Sequence, residues 1–258
     1  MEAVESHLLA GGQAAVYSTR CPGKDSANED AAALFQVDEQ TAVLAVADGM
    51  GGGPSGEHAS ALAVASLGRT LQNGALEGGS LQAAILGGID AANREIQEAH
   101  PDSATTLVVV AVHNGEIRPY HVGDSMVLAF SSRGRVKLQT VMHSPVGYAL
   151  EAGVLNEAEA MHHEHRHVVS NMVGSPNMRI EVGAPLHLRP QDTVLLATDG
   201  LFDNLHVEEV VERLRRTGLA ECVERLAQAA LERMSQPAAA TPSKPDDLTI
   251  LAFRPKPR

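Results

Sequence analysis

Three aspartates stand at the ends of apolar stretches that are typical of buried strands. Asp48 closes the stretch TAVLAVAD, Asp199 closes a second one, and Asp246 precedes a third near the C-terminus. A buried carboxylate costs free energy unless a cation pairs with it. Oxygen ligands without a cysteine pair or a spaced histidine pair favour hard cations such as Mg²⁺ or Mn²⁺. Gly49 leaves room beside Asp48, so we expect Asp48 to bridge metal ions.

Further carboxylates occur at comparable positions along the chain. Asp124 lies in HVGDS between two predicted strands, and Glu29 and Asp30 in NEDAAALF come directly before another. Taken singly, an aspartate followed by glycine is most often a turn residue that caps backbone N–H groups. The hypothesis of one shared metal site therefore depends on whether the fold brings these acids together.

The composition argues against several classes of protein. The chain has 258 residues, of which 44% are hydrophobic and 3% aromatic, and its formal net charge is −12. This charge argues against nucleic acid or an anionic membrane as the main partner, although ordinary solubility explains it equally well. Cys21 and Cys222 form no CxxC pair, which argues against a disulfide framework or a thiolate metal site. Neither a signal peptide nor an apolar run of about eighteen residues is recognised, so we expect a reduced, cytoplasmic protein.

Hydrophobic spacing predicts strands, then two helices, then strands again. The helices begin near Gly56 and after Ser80, which is a suitable N-cap. Alternating or apolar runs predict strands over 14–20, 32–37, 41–48, 104–113, 116–122, 125–131 and 135–140. This order is typical of α+β layers built on antiparallel sheets.

The second half of the chain has a less regular pattern. Residues 143–178 are polar, rich in histidine and broken by prolines and glycines, and they predict no clear element. After them we expect a strand over 192–198, helices over 207–216 and about 219–234, and a closing strand over 247–253.

Six segments resemble, in the same order, the motifs of the metal-dependent type-2C (PPM) protein serine/threonine phosphatases, in their compact bacterial branch. They are NEDA (28–31), VADGMGGGPSGEHAS (46–60), ATTLVVVAV (104–112), GDS (123–125), ATDGLFDNL (197–205) and PDDLTIL (245–251). The resemblance implies an α+β fold, a four-layer α-β-β-α sandwich of two antiparallel sheets flanked by helix pairs. It also implies a single domain over 1–258, in which the segment 143–178 corresponds to the variable flap of the family.

The resemblance also implies a set of metal ligands for two Mn²⁺ or Mg²⁺ ions. Asp48 would bridge the ions, the carbonyl of Gly49 would bind one, and Asp199 and Asp246 would hold the other. Asp124 together with Asp199 would provide a third, weaker ion site.

The implied chemistry is metal-dependent hydrolysis of phosphoserine and phosphothreonine in proteins. A hydroxide bridging the ions would attack phosphorus in line, and Asp48, Asp30 and Glu29 would be the catalytic carboxylates, Glu29 and Asp30 mostly through metal-bound water. The expected partners are phosphorylated proteins, the products of a serine/threonine kinase, and we expect a monomer that binds neither nucleic acid nor a membrane.

The chain departs from the resembled motifs at three places. Where many members have an arginine that grips the substrate phosphate, this chain has Asp25, so Lys24 is the preferred substitute and Arg20 the second candidate. Met50 stands where eukaryotic relatives have a histidine, so no side chain is assigned as general acid. Asp247 stands where asparagine is common.

Two other enzyme activities and a non-enzymatic role are alternatives to this prediction. His163–His167 matches the zinc-protease pattern HExxH, which needs both histidines on one stable helix, whereas the following residues favour turns. An inactive phosphatase-like binding module would have lost the aspartates named above. The sequence alone distinguishes poorly between hydrolysis of small phosphoesters and hydrolysis of phosphoproteins. The histidines of 162–167 lead to a further hypothesis of a pH-sensitive flap.

Overall fold

The computed structural model describes residues 3–51, 55–77, 79–216, 218–236 and 241–256. The strands are β1 Glu5–Leu9, β2 Gly12–Thr19, β3 Asp30–Gln36, β4 Thr41–Gly51, β5 Ser103–Thr105, β6 Leu107–His113, β7 Glu116–Val122, β8 Met126–Phe130, β9 Val136–Gln139, β10 Glu181–Val182, β11 Leu186–His187, β12 Thr193–Ala197 and β13 Leu248–Pro255. The helices are α1 Ser55–Glu77, α2 Leu81–Ala99, α3 Pro145–Glu151, α4 Glu157–Met161, α5 Asp199–Phe202, α6 Val207–Leu214 and α7 Leu219–Ser235.

The longer elements agree with the sequence prediction, and the short ones add to it. Ser80 caps α2 by accepting a hydrogen bond from the backbone N–H of Ala83, as expected. The strands β1, β10 and β11 were not predicted, and the single strand expected over 104–113 is divided into β5 and β6. Among the described residues, no helix combines the length and the apolar character that crossing a bilayer requires.

The strands form two antiparallel sheets. The first has the order β1-β2-β13-β12-β8-β9, and the second has the order β10-β7-β6-β4-β3, with β11 also paired to β7 and β5 to the end of β4. The helices α1 and α2 cover the second sheet, and α5, α6 and α7 cover the first. The four-layer α-β-β-α sandwich predicted from the sequence is therefore confirmed.

Three apolar cores hold the four layers together, and the two-residue period of β4 shows how. Ala42, Leu44 and Val46 pack between the two sheets, whereas Val43 and Ala45 pack under α1 and α2. Because successive side chains of a strand point to opposite faces, a strand buried on both faces becomes a continuous apolar run. This burial fixes the end of β4, where Asp48 lies.

Two glycines allow the backbone contacts that bring the ends of the strands together. A Cβ atom on Gly49 would overlap the carbonyl oxygen of Gly56 at the start of α1, and one on Gly200 would overlap the carbonyl oxygen of Asp247. The room that the sequence led us to expect beside Asp48 is filled at Gly49 by a backbone carbonyl group, that of Gly56. The missing side chain of Gly49 lets α1 approach β4 closely.

Candidate active site

Asp30 and Asp48 lie opposite each other on neighbouring strands. They are register partners in the antiparallel pair β3–β4, so their side chains lie on the same face of the sheet. The backbone of Asp48 is held by two threonines. Thr106 Oγ1 accepts from its N–H at 3.0 Å, and Thr105 Oγ1 donates to its carbonyl oxygen at 2.8 Å. The threonines thus position the backbone of Asp48.

Asp199 and Asp246 come from different elements and share one cationic partner. Asp199 is the first residue of α5, and Asp246 lies just before β13. The ammonium nitrogen of Lys244 lies 2.5 Å from Asp199 Oδ2, 2.8 Å from Asp203 Oδ2 and 3.1 Å from Asp246 Oδ2. Neither Lys244 nor Asp203 was selected from the sequence. Asp203 follows Asp199 by one helical turn, and that spacing is the signal that could have identified it.

Asp124 completes the group from the loop between β7 and β8. Its side chain is buried, and burial together with the Asp199 carboxylate raises its pKa to about 7. Burial and Asp199 likewise raise the pKa of Asp203 to about 6. Carboxyl groups whose pKa values are raised this far have too little positive charge around them, which indicates a site suited to cations.

The carboxylates that the sequence scatters over two hundred positions meet in one place. Burial and then repulsion from Asp30, Asp199, Asp124 and Asp246 raise the pKa of Asp48 well above its usual range. Burial is also the main cause of the raised pKa of Asp30. The structure thus brings Asp48, Asp30, Asp199, Asp124 and Asp246 together, as the sequence predicted.

The donor atoms of this group fit divalent metal ions. Asp30 Oδ1 and Asp199 Oδ1 are buried and have no hydrogen-bond partner among the described residues. Buried oxygens of this kind are costly unless a cation binds them. An all-oxygen donor set suits Mg²⁺ or Mn²⁺.

Comparison with known proteins agrees with this geometry. The family model described as protein phosphatase 2C matches residues 19–236. The chain belongs to the protein phosphatase 2C family.

Relatives and solved structures extend the comparison. The serine/threonine phosphatase stp of Listeria monocytogenes is 28% identical over 197 residues, which are 73% of this chain and 77% of the relative. The crystal structure of the Mycobacterium tuberculosis serine/threonine phosphatase PstP/Ppp matches 95% of this chain and 98% of its own, with a TM-score of 0.78 and 27% identity. A structure of the PstP catalytic domain in complex with two manganese ions matches 93% of this chain and 96% of its own, with a TM-score of 0.72 and 25% identity.

Glu29 and Lys24 lie at the edge of the site in this member of the family and contact each other. Lys24 Nζ lies 2.7 Å from Glu29 Oε2 and 3.0 Å from Asp247 Oδ2. Asp247 also accepts hydrogen bonds from the backbone N–H groups of Cys21 and Glu29, both at 2.7 Å. Arg20, the other residue predicted to bind phosphate, is exposed just after β2. Lys24 thus compensates the buried carboxylate that stands in place of the usual asparagine.

The loop that carries Asp124 is held by His143, the first residue of the segment 143–178, which we call the flap segment. Gly123 N–H donates to His143 Nδ1 at 3.1 Å, and His143 N–H donates to the Gly123 carbonyl oxygen at 3.0 Å. On its other side His143 Nε2 lies 3.1 Å from Glu181 Oε2, and its ring stacks on His121. The flap therefore sets the position of the Asp124 loop.

The flap segment 143–178 contains α3 and α4, followed by turns. The HExxH match at His163–His167 lies in those turns and not on the helix that a zinc-protease site of this pattern needs. A cavity of about 430 Å³ separates the flap from α6 and reaches the carboxylates Asp124, Asp199 and Asp203. Its remaining walls are largely apolar, with contributions from Met126, Val146, Met161, Phe202 and Leu205.

Proposed function

We propose that this chain hydrolyses phosphoserine and phosphothreonine in proteins with two divalent metal ions, Mn²⁺ or Mg²⁺. The observation that carries the proposal is the meeting of five aspartates from five separate chain segments around buried carboxylate oxygens that have no hydrogen-bond partner in the described part of the chain. The names of the relatives, serine/threonine phosphatases of bacteria, support the reaction and the class of substrate.

Asp48 would hold both ions from the end of β4, with the carbonyl oxygen of Gly49 beside it. Asp199 and Asp246 would bind one of the two ions. Glu29 and Asp30 would act through metal-bound water. When bound, such a pair activates a water molecule near neutral pH and neutralises charge on the transferred phosphoryl group. The register of β3 and β4 fixes Asp30 opposite Asp48, so these carboxylates require little reorganisation during the reaction.

The protein surface around the site would bind the rest of the substrate. The cavity beside the flap offers apolar walls to residues next to the phosphorylated one, and it opens directly on the carboxylate group. Lys24 and Arg20 are the cations that the sequence predicts near the phosphate, and the pairing of Lys24 with Glu29 and Asp247 favours a structural role for Lys24. We propose that the substrates are proteins phosphorylated by a serine/threonine kinase.

The decisive experiment compares phosphate release from a phosphothreonine peptide with release from small phosphorylated metabolites. We expect turnover of the peptide with Mn²⁺ or Mg²⁺, none after chelation, and a much higher kcat/KM for the peptide than for the metabolites. An equal or higher kcat/KM for a metabolite would favour a small-molecule phosphatase. Full activity in the presence of chelator, or no activity with any divalent ion, would contradict the proposal.

A further inference from the structure

Lys244 is a cation within the carboxylate group, and it contacts Asp199, one of the two aspartates that the resemblance assigns to a third metal ion. Its ammonium contacts Asp199, Asp203 and Asp246, and no ion pair joins it to Asp48 or Asp30 within the described residues. It therefore lies on the side of Asp199 that faces Asp203, away from the β3–β4 register pair. The third ion that the resemblance implies would use Asp199 together with Asp124, so it would compete with Lys244 for Asp199.

The position of Lys244 is set by its backbone, which is locked to the helix that carries Asp199. The Lys244 N–H donates to Asn204 Oδ1 at 2.9 Å, and Asn204 Nδ2 donates to the Lys244 carbonyl oxygen at 2.9 Å. Asn204 is fully buried and also donates to the Gly200 carbonyl oxygen at 2.9 Å. The Lys244 side chain is only 21% exposed. Ion pairs made by a lysine held in this way differ from surface ion pairs, in which two long side chains are free to separate.

The flap contributes a second anchor to the same loop. Arg166 Nη2 donates to the Ser243 carbonyl oxygen at 3.1 Å, and its Nη1 donates to the carbonyl oxygen of Met161. Ser243 Oγ in turn donates to the Arg233 carbonyl oxygen at 2.8 Å. Both the flap and α7 therefore hold the loop that presents Lys244 to the carboxylates.

The charges of the group are consistent with an ammonium as its resident cation. Burial and Asp199 raise the pKa values of Asp124, Asp203 and Asp246, and Lys244 opposes that rise in each case. A divalent ion bound by the same oxygens would lie within a few ångströms of the ammonium, and two cations so close repel strongly at low dielectric. Asp199 keeps its second oxygen, Oδ1, free of hydrogen bonds among the described residues, so one ligand atom is still available to the metal pair.

From this geometry we infer that Lys244 is a built-in cation that replaces the third metal ion, so that the chain binds two divalent ions and not three. The inference rests on the proposed metal-dependent function, which it deepens. The sequence led us to expect a weakly bound third ion at Asp124 and Asp199. According to this inference, a side chain that is always present takes the place of that ion. The proposed phosphatase would then need no third ion from solution at any metal concentration.

The test is the number of Mn²⁺ ions bound by the full chain, measured by equilibrium dialysis and calorimetry with Mn²⁺ alone. We expect two ions for the wild type and three for Lys244→Met, which removes the ammonium and keeps the length of the side chain. The double variant Lys244→Met/Asp203→Asn should bind two again, because it loses an oxygen ligand of the opened site. Lys137→Met is the matched control, since Lys137 pairs with Asp192 outside the site, and it should bind two.

A second readout does not depend on metal. In chelator, Lys244→Met should have a lower Tm than Lys137→Met, because several buried carboxylates lose their common partner, and Mn²⁺ should restore most of the difference. Should Lys244→Met not fold, Lys244→Gln serves in its place, since its amide still donates a hydrogen bond.

The possible results separate this inference from the proposed function. Three ions in the wild type, or two in Lys244→Met, would overturn the inference while leaving a two-metal phosphatase intact. If Lys244→Met still binds two Mn²⁺ ions but binds them more tightly, Lys244 competes with one of the two ions of the metal pair. This result would also overturn the inference. A wild type that binds no Mn²⁺ would overturn the proposed function, and the inference with it.

Discussion

Asp30 and Asp48 are direct register partners across the antiparallel pair β3–β4, so two carboxyl groups share one face of the sheet at the edge of the site. Like charges placed opposite each other in this way destabilise a sheet. Repulsion from Asp30 follows burial as a cause of the raised pKa of Asp48. The folded chain therefore keeps an unfavourable arrangement that a bound cation would relieve, and stability is sacrificed at this position for function.

Replacing Asp48 by asparagine should separate stability from activity. Asp48→Asn removes one charge from the cluster, so in chelator the variant should be more stable than the wild type by roughly 1 kcal/mol, which raises Tm by about 2–4 °C. The same change should lower kcat by at least about 100-fold, because the proposed bridging ligand is lost. Thermal unfolding in chelator and a Mn²⁺-dependent phosphopeptide assay check both expectations. Wild-type turnover by Asp48→Asn would rule out the proposed bridging role.

Most of the fold and most of the acids were predictable from the sequence, because both depend on regular signals. The strands are alternating or continuous apolar runs, and Asp48, Asp199 and Asp246 occur in motifs at the ends of such runs. Lys244 was not predicted because it stands in the polar loop SKPDD, whose composition is that of a solvated turn. Only the approach of Asn204 and α5 turns this loop inward, and that contact is not local in sequence.

The flap shows a second limit of sequence prediction. The helices α3 and α4 have seven and five residues, which is too short for a hydrophobic period to be recognised. They are started by caps, with Ser144 accepting from the Gly147 N–H and Asn156 from the Glu159 N–H. Such caps are visible in the sequence, but serine and asparagine are equally common in turns, so they do not distinguish a short helix from a loop.

The stability of the metal-free protein should fall as the pH rises from about 4 to 7. The pKa of Asp124 is about 7 and that of Asp203 about 6 in the folded chain. Both lie above the value of about 3.9 for an unfolded aspartate. The folded chain therefore binds more protons than the unfolded chain in this interval, so the free energy of unfolding decreases with pH until these groups are ionised.

Thermal unfolding in chelator between pH 5 and 7.5 measures this loss of stability. The variant Asp124→Asn isolates the contribution of the Asp124 carboxyl group to it. The variant should lose less stability over the interval than the wild type, by an amount on the order of 1–4 kcal/mol. Asp90→Asn, at an exposed position on α2, is the control and should follow the wild type. Equal slopes for wild type and Asp124→Asn would show that burial of this carboxyl has no such cost.

Removing the hydroxyl of Thr106 should disturb Asp48 without touching its side chain. Thr106 Oγ1 accepts from the Asp48 N–H at 3.0 Å and lies 2.6 Å from Ser125 Oγ. Thr106→Val keeps the shape but leaves a buried N–H without its acceptor, which costs roughly 1–3 kcal/mol of stability. Phosphopeptide turnover at saturating Mn²⁺ should fall together with stability. Thr106→Ser keeps the hydroxyl and should retain most of both, so equal losses in the two variants would mean that the methyl group matters more than the hydrogen bond.

The pair Lys24–Asp247 distinguishes a phosphate-binding lysine from a structural one. Asp247 is only 3% exposed, so Lys24→Met leaves a buried carboxylate without its cation and should lower the free energy of unfolding by roughly 1–3 kcal/mol. Asp247→Asn restores the amide that is usual in the resembled motif and removes the need for the cation. The double variant Lys24→Met/Asp247→Asn should therefore be more stable than Lys24→Met alone, which urea unfolding measures.

Kinetics on the same variants decide whether Lys24 also contacts the substrate. If its role is to neutralise Asp247, the double variant recovers a wild-type KM for the phosphopeptide, because the loop and Glu29 return to their positions. If Lys24 binds the phosphate directly, KM stays raised in the double variant even where stability is restored. The structure favours the first outcome, since the Lys24 ammonium already lies within hydrogen-bonding distance of two carboxylates, Glu29 and Asp247. A KM that remained high in a fully stable double variant would therefore contradict the structural role and assign Lys24 to the substrate.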